Sequence, residues 1–530
     1  MEVPVSTLRP SPRVPPPHAL LKVVVVLVAT VLGAAGPLAG QAPAVGPALG
    51  LFHGSGDIGA PTKSGGSRYN GATQEYALSA GGVNMWAERD EFQFAWRRMT
   101  GDFILHTRVA FHGAGVDPHR KAGWIIRRSL DDNSPYVDGV VHGDGLTSLQ
   151  YRRSTGAITE QIESAIKGAD VIQLERRAGT YILSVARFGE TFTTTELTGV
   201  DLGDEVYVGL ALCSHNADVV ERATFSNVRI TRPAATNFTP YRDYIGSTLE
   251  LLDIASGRRE MITQSLTQPF EAPNWTTDGA ALIFNTSGRT EDRGRLHRFD
   301  LLTRHSEVID TGTNIRNNND HVLSFDGTML GISDQSLPGV GSTIYTVPVT
   351  GGTPRRITTL APSYLHGWSP DMKFLVYTGG RDGEFDIYRI ASDGSGVEEN
   401  LTRSKGLDDG PEYTPDGRYI YFNSLRSGTM QIWRMSADGS NPEPITNDAY
   451  NNWFPHISPD GTSIVYIAFP GTIDPADHPY YKHVYLRQMP VDGGPARVIA
   501  YVYGGQGTIN VPSWSPDGRT VAFVSNTGAF

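Results

Sequence analysis

The chain has 530 residues, enough for two or three domains with full cores. Its net charge of −11 comes with no extended Lys/Arg patch, which sets aside nucleic acid as a main partner. The single cysteine, Cys213, leaves no internal disulfide, so stability has to come from buried apolar surface.

The N-terminus reads as an export signal. A basic, Pro-rich lead precedes the apolar run Val23–Ala35, which has signal-peptide length and is short for a membrane span. Small residues near Ala39–Ala42 mark an expected cleavage point. This gives a signal over 1–40 and a linker over 41–50, with an uncleaved anchor as the alternative. No Cys follows the run, which argues against a lipid anchor, and no membrane span is expected once the signal is removed. The expected location is periplasmic or secreted.

From 51 to 232 the pattern is period-two alternation broken by Gly, Asn and Asp turns, which predicts an all-β domain. In "GDFILHTRVAFHG", Phe103, Leu105, Val109 and Phe111 share one face; His106, Arg108 and His112 take the other. "VIQLERRAGTYILSVARFG" reads as two strands joined by a tight turn at Ala178-Gly179. Cys213, inside "VYVGLALCSHN", is expected to be buried and inert. "GSGDIG" at 54–59 fits a dinucleotide-binding spacing, but no strand precedes it and no helix follows, so it reads as a loop. The segments "KAGWIIRRSLDDNSPYV", "TSLQYRRSTG" and "ERATFSNVRI" resemble the concanavalin A-like (laminin-G-like) jelly roll of bacterial surface and carbohydrate-active proteins. That resemblance implies a β-sandwich acting as a ligand-binding or accessory module, often for sugars. Arg127, Arg128, Tyr151 and Arg152 are its candidate glycan face, with solvated strand residues as the plainer alternative.

A linker at 233–245 leads into a repeat over 246–530. Six segments align on an Asp: Asp278, Asp326, Asp371, Asp416, Asp460 and Asp517, spaced by 48, 45, 45, 44 and 57 residues. That period suits a four-stranded blade. Three positions before each anchor stands Trp275, Leu323, Trp368, Tyr413, Ile457 or Trp514, the pattern of a core position between blades. Outer strands for the sixth anchor are missing downstream but present upstream at 248–263, so six blades balance only if the ring closes by pairing its two ends. Blade three has Asp371-Met372 in place of Asp-Gly, and the insertion "FPGTIDPADHPYYKHVYLRQMP" in blade five is expected to project from a rim. The repeat "WSPDGxxIxF…IYxxxxDG…IT" resembles the TolB-like (WD-like) six-bladed propeller of bacterial envelope and secreted proteins.

In such a ring the approaches to the innermost strands gather at one mouth of the central channel, where ligand sites tend to form. His321 and His366 lie five residues before their anchors and His456 four before its own. With Asn319, Asp320, Glu412, Gln506 and Asn510 they are expected to ring one polar opening. Asn451, Asn452 and Trp453 join them, because "NNWFPH" is the part of its blade the repeat does not require. Imidazoles and carboxylates converging from different strands suit a divalent metal or acid–base work, with His321, His366 and His456 as candidate ligands. This bears some similarity to oligogalacturonate lyases, though the blade number and ligand spacing of that family are not reproduced. The alternative is that each His bonds a neighbouring blade's backbone. No G-x-S-x-G, H-E-x-x-H or Walker A pattern occurs.

Three readings follow. The first is an exported binding or scaffold protein for a glycan or envelope protein. The second is a carbohydrate lyase or hydrolase acting on acidic sugars. The third is a Tol-type envelope component, against which stands the usual small α/β domain ahead of such propellers.

Overall fold

The computed structural model describes residues 49–530. The expected signal over 1–40 and nearly all of the 41–50 linker lie outside the described residues. Among those described every regular element is a strand, and no helix is long and apolar enough to cross a membrane.

The first half is two seven-stranded antiparallel sheets. One runs Gly54–Ile58, Phe92–Met99, Val206–Cys213, Lys121–Arg127, Tyr136–His142, Thr147–Arg152, Glu160–Glu163. The other runs Thr193–Leu197, Thr180–Ala186, Val171–Arg177, Phe103–Phe111, Glu221–Thr231, Glu75–Ala80, Gly66–Asn70. Their alternating apolar residues meet in one core holding Phe103, Leu105, Trp124, Ile126, Leu174 and Leu210. The turn at Ala178-Gly179 has φ of 46° and 83°, the left-handed pair that suits the twist of a two-residue hairpin. Cys213 is fully buried, and burial pushes its thiol up to about 12, which makes it inert.

Two expectations for this half are corrected. "GSGDI" is an edge strand paired with Phe92–Trp96, not a loop. His106, on the face opposite Phe103 and Leu105, is buried, with Tyr501 of the second half packed against its ring. The candidate glycan face is not a face: Arg127 and Arg152 are fully buried, each bonded to the buried carboxylate of Asp90 at 2.7 and 2.8 Å. Two guanidiniums in the interior need such a partner. Tyr151 is also buried, its hydroxyl donating to Glu160.

The second half is a six-bladed β-propeller. Five blades are four-stranded antiparallel sheets. The sixth joins Arg259–Ser265, Gly246–Asp253 and Thr520–Thr527, with Trp514 bridged to Val521 on the inner side. The register Gly246↔Thr527 to Asp253↔Thr520 places the start of this half beside the end of the chain. All six residues three before the anchors are buried between blades. Two of them show why: the indoles of Trp368 and Trp514 donate to the backbone carbonyls of Val322 and His456 in the preceding blades.

Each anchor Asp is a turn device. Its Oδ1 accepts the hydroxyl of a Ser or Thr two residues earlier at 2.5–2.7 Å and the backbone N–H two residues later at 3.0–3.1 Å. Met372 occupies the Gly position of blade three at φ 65°, so the Asp holds the turn even without glycine.

The innermost strands of the first five blades share a bulge. Pairing slips between Glu271/Asn274, Asn317/His321, Leu365/Gly367, Asp409/Glu412 and Trp453/His456. Pro273, Pro411 and Pro455 sit in three of these slips, where a missing N–H costs no ladder bond. The extra residues re-aim neighbouring side chains toward the channel.

Candidate functional site

One cavity of about 710 Å³ opens at the mouth of the channel. Its floor comes from one column of the repeat, the residue seven before each anchor. In blade order these are Glu271, Asn319, Tyr364, Asp409, Trp453 and Asn510. Five of the six line the cavity. Trp453 does not, because the blade-five insertion folds back over it and His478 lies on its indole, ring centroids 4.4 Å apart. His478 and Tyr480 then line the cavity in its place. The insertion therefore packs over the mouth rather than projecting from a rim. The segment between the two halves contributes as well: Tyr241 and Tyr244 line the cavity and stand edge-on to Tyr480 at 5.6 and 6.0 Å.

The chemical centre is a buried carboxylate–imidazole–carboxylate set. His366 Nε2 lies 3.2 Å from Asp409 Oδ1 and 3.9 Å from Asp320 Oδ1. Phe454, turned inward by its bulge at φ 53°, stacks on His366 at 5.8 Å. Burial opposes the charge of Asp409, but the His366 hydrogen bond and charge, with the Thr378 hydroxyl at 2.6 Å, outweigh it and hold the carboxyl at about 2. Asp320 has weaker partners. Burial pushes it up to about 6, and the neighbouring Asp409 charge adds to the shift against the pull of His366. Glu271 is pushed up to about 7, mainly by burial, against the opposing pull of the nearby polar groups of Ser287, Tyr480 and Asn285. For His366 burial works against the charged form, yet the bond to Asp409 and the two carboxylates raise it above the ordinary value. The site thus holds one firmly ionised acid, Asp409, two acids raised toward neutrality, Asp320 and Glu271, and an imidazole whose charged form the neighbouring carboxylates favour. It can donate and accept protons within one concavity.

Of the residues singled out from sequence, Asn319, Asp320, His366, Gln506 and Asn510 line this cavity. The others lie elsewhere. His456 is fully used between blades, with Nδ1 2.7 Å from Glu412 Oε2 and Nε2 3.0 Å from the Ile509 carbonyl; Glu412 also accepts the Ile457 N–H. His321 is buried with Nε2 3.4 Å from the Ile283 carbonyl, and burial lowers it to about 4. Asn451 accepts from Met430 N and donates to Ile473 O. Asn452 donates to Gln431 and Asp448. His321, His366 and His456 thus face three different sets of partners and, among the described residues, do not converge as a metal-ligand group. Sequence reasoning missed Glu271, Tyr364 and Asp409, which the minus-seven column would have found. It also missed His478 and Tyr480, for which no repeat signal exists.

The TolB beta propeller domain model matches residues 361–474, from blade three into the blade-five insertion. An uncharacterized protein of Agrobacterium fabrum is 47% identical over 279 residues, covering 52% of this chain and 92% of that relative. A solved structure from Agrobacterium tumefaciens, assigned as TolB, is 44% identical; the match covers 54% of this chain and 100% of that one, with a TM-score of 0.51. Both matches are about as long as the propeller half.

Proposed function

The chain belongs to the TolB-like β-propeller family, and we propose that it is an exported envelope or secreted binding protein whose propeller mouth receives a hydroxyl-rich ligand such as a glycan end. The observation that carries this reading is the cavity floor. One repeat column sends acid, amide and phenol side chains into a single concavity rimmed by Tyr241, Tyr244 and Tyr480. Aromatic walls with a few convergent polar groups suit a ring-shaped, hydroxylated molecule. The concave shape of the cavity favours an inserted ligand over a flat protein surface. Family membership supports an envelope location, periplasmic or beyond. The end-to-end strand pairing at Gly246–Asp253 supports a ring closed by its own termini, and the two facing seven-stranded sheets support a concanavalin A-type jelly roll.

A second reading has its own observation. Glu271 and Asp320 are raised to about 7 and about 6 while Asp409 is held at about 2, the separation of acid strengths that proton-transfer enzymes use. That favours a carbohydrate lyase or hydrolase at the same site. A glycan array probed with the full chain, followed by assay of bound glycans for new sugar ends, separates the two. Binding without turnover, reduced at least tenfold by Tyr364→Ala, supports the first reading. Turnover abolished by Asp409→Asn supports the second, and a blank array removes both.

A further inference from the structure

The two-sheet half carries a side-chain cluster that has no part in the propeller cavity. Three loops meet at one end of it: the loop after Phe103–Phe111, the turn after Tyr136–His142 and the loop after Val206–Cys213. There His119, His142 and Asp144 bring one potential ligand atom each to within 4.8 Å of one another. His215 adjoins them, its ring centroid 5.5 Å from that of His119 and its Nδ1 3.1 Å from Asp117 Oδ1. From this we propose that His119, His142 and Asp144 form a site for a first-row transition ion, Zn²⁺ foremost, which joins these loops.

Three observations carry the assignment. The first is the donor set. Two imidazoles and one carboxylate suit Zn²⁺ and its neighbours, whereas Ca²⁺ and Mg²⁺ require mostly oxygen. The second is an orphaned atom. His142 is buried, yet its Nδ1 has no hydrogen-bond partner while Nε2 faces the Gln150 amide at 3.3 Å. A buried polar atom without a partner is costly, and a bound cation removes that cost. The third is preorganisation. The turn bearing Asp144 is tied to the loop bearing His119 by two backbone bonds, Gly143 N–H to Arg120 O and Asp144 N–H to Pro118 O, each 2.9 Å. Gly143 permits this approach, since a Cβ there would meet the Arg120 side chain at 2.8 Å.

Metal bonds of about 2.1 Å require ligand atoms no more than about 4.2 Å apart. The cluster has to tighten slightly, and the exposed side chains of His119 and Asp144 are free to do so. His215, backed by Asp117, is placed to complete the shell or to orient His119, as carboxylate–histidine pairs do beside metals. In a chain without disulfides, such an ion would be the cross-link for this end of the domain.

The test uses the purified full chain after chelator treatment, titrated with Zn²⁺ alone and, in parallel, with Co²⁺ read by visible absorption. The expected result is one equivalent of Zn²⁺ per chain, a rise in melting temperature on binding, and a Co²⁺ spectrum of nitrogen–oxygen ligation. His119→Ala and Asp144→Asn should each weaken binding about tenfold or more. Both positions are exposed, so their metal-free melting temperatures should match the native one. His366→Ala in the propeller should leave binding unchanged. Absence of stoichiometric binding overturns the proposal, as does binding indifferent to His119→Ala or lost in His366→Ala.

Discussion

His478 lies on Trp453 with ring centroids 4.4 Å apart, so at the Trp453 position blade five reaches the channel mouth through its insertion, while Phe454 is the innermost-strand residue that lines the cavity. His478 and Trp453 should therefore separate in their effects. Trp453 is fully buried, and Trp453→Ala should cost about 3–5 kcal/mol of stability in a urea titration. His478→Ala removes a cavity wall that rests on that core, so it should cost much less and instead enlarge the cavity and weaken ligand binding. Equal destabilisation by the two would mean that the insertion is part of the core and not a cover over it.

The acids of the cavity give a signed pH prediction. Asp320 moves from an ordinary 3.8 to about 6 and Glu271 from 4.5 to about 7. A raised carboxyl means that the folded state binds the proton more tightly. The stability each contributes is complete below its ordinary value and is lost as pH rises through the folded value. His321, lowered to about 4, acts in the opposite direction between 4 and 6.5, so the whole-protein curve mixes signs. A difference measurement isolates the carboxyl. Asp320→Asn should gain on the native protein between pH 4 and 7.5, by on the order of 3 kcal/mol at most. A constant gap across that range would show that Asp320 titrates normally.

The architecture was legible because the repeat writes itself in columns. Asp anchors, the large residue three before and the 44–57-residue spacing are consequences of one blade geometry repeated. The site was half legible for the same reason. Asn319 and Asn510 were chosen as loop residues, yet their common property is the minus-seven register they share with Glu271, Tyr364 and Asp409. His456 misled because chemical type outweighed register: the minus-four column also holds Asn274 and Glu412, whose side chains bond the next blade's backbone at Leu323 and Ile457. The positions of His478 and Tyr480 depend on an insertion folding back, and no periodicity encodes that. Arg127 and Arg152 misled in the first half, since alternation alone does not say which polar strand residues meet a buried Asp90.

The reassignment of His456 is itself testable. Its two ring nitrogens link Glu412 of blade four to the Ile509 carbonyl near blade six. His456→Ala should destabilise the protein by about 1–3 kcal/mol, since Glu412 and a buried carbonyl lose their partner. Ligand affinity of the folded fraction should stay native, because His456 does not line the cavity. Calorimetric unfolding and binding measured on the same preparation check both parts. A lost affinity with unchanged stability would return His456 to the site.

Glu250 is where the two halves and both ends of the propeller meet. It lies on Gly246–Asp253, fully buried, bonded to Arg229 at 2.6 Å from the last strand of the first half and to Arg259 at 2.6 Å in its own blade. Ser525, on the chain's final strand, donates to the same carboxylate at 2.5 Å. Burial alone would raise this carboxyl, but the two guanidiniums prevail and lower it to about 2. Here the sign is the reverse of Asp320: the stabilisation is complete above 4.5 and is lost as pH falls through about 2. Glu250→Gln removes the charge while keeping the shape, and it leaves two buried guanidiniums without a counter-ion. The expected cost is about 3–5 kcal/mol. Because Arg229 and Arg259 belong to different halves, the loss should appear as uncoupling. The native protein should melt in one calorimetric transition and the variant in two, the earlier one being the propeller that has lost the tie at its joined ends. A single transition in the variant, merely shifted down, would mean that the remaining contacts of Tyr501 with Glu190 and Phe192 suffice to hold the halves together.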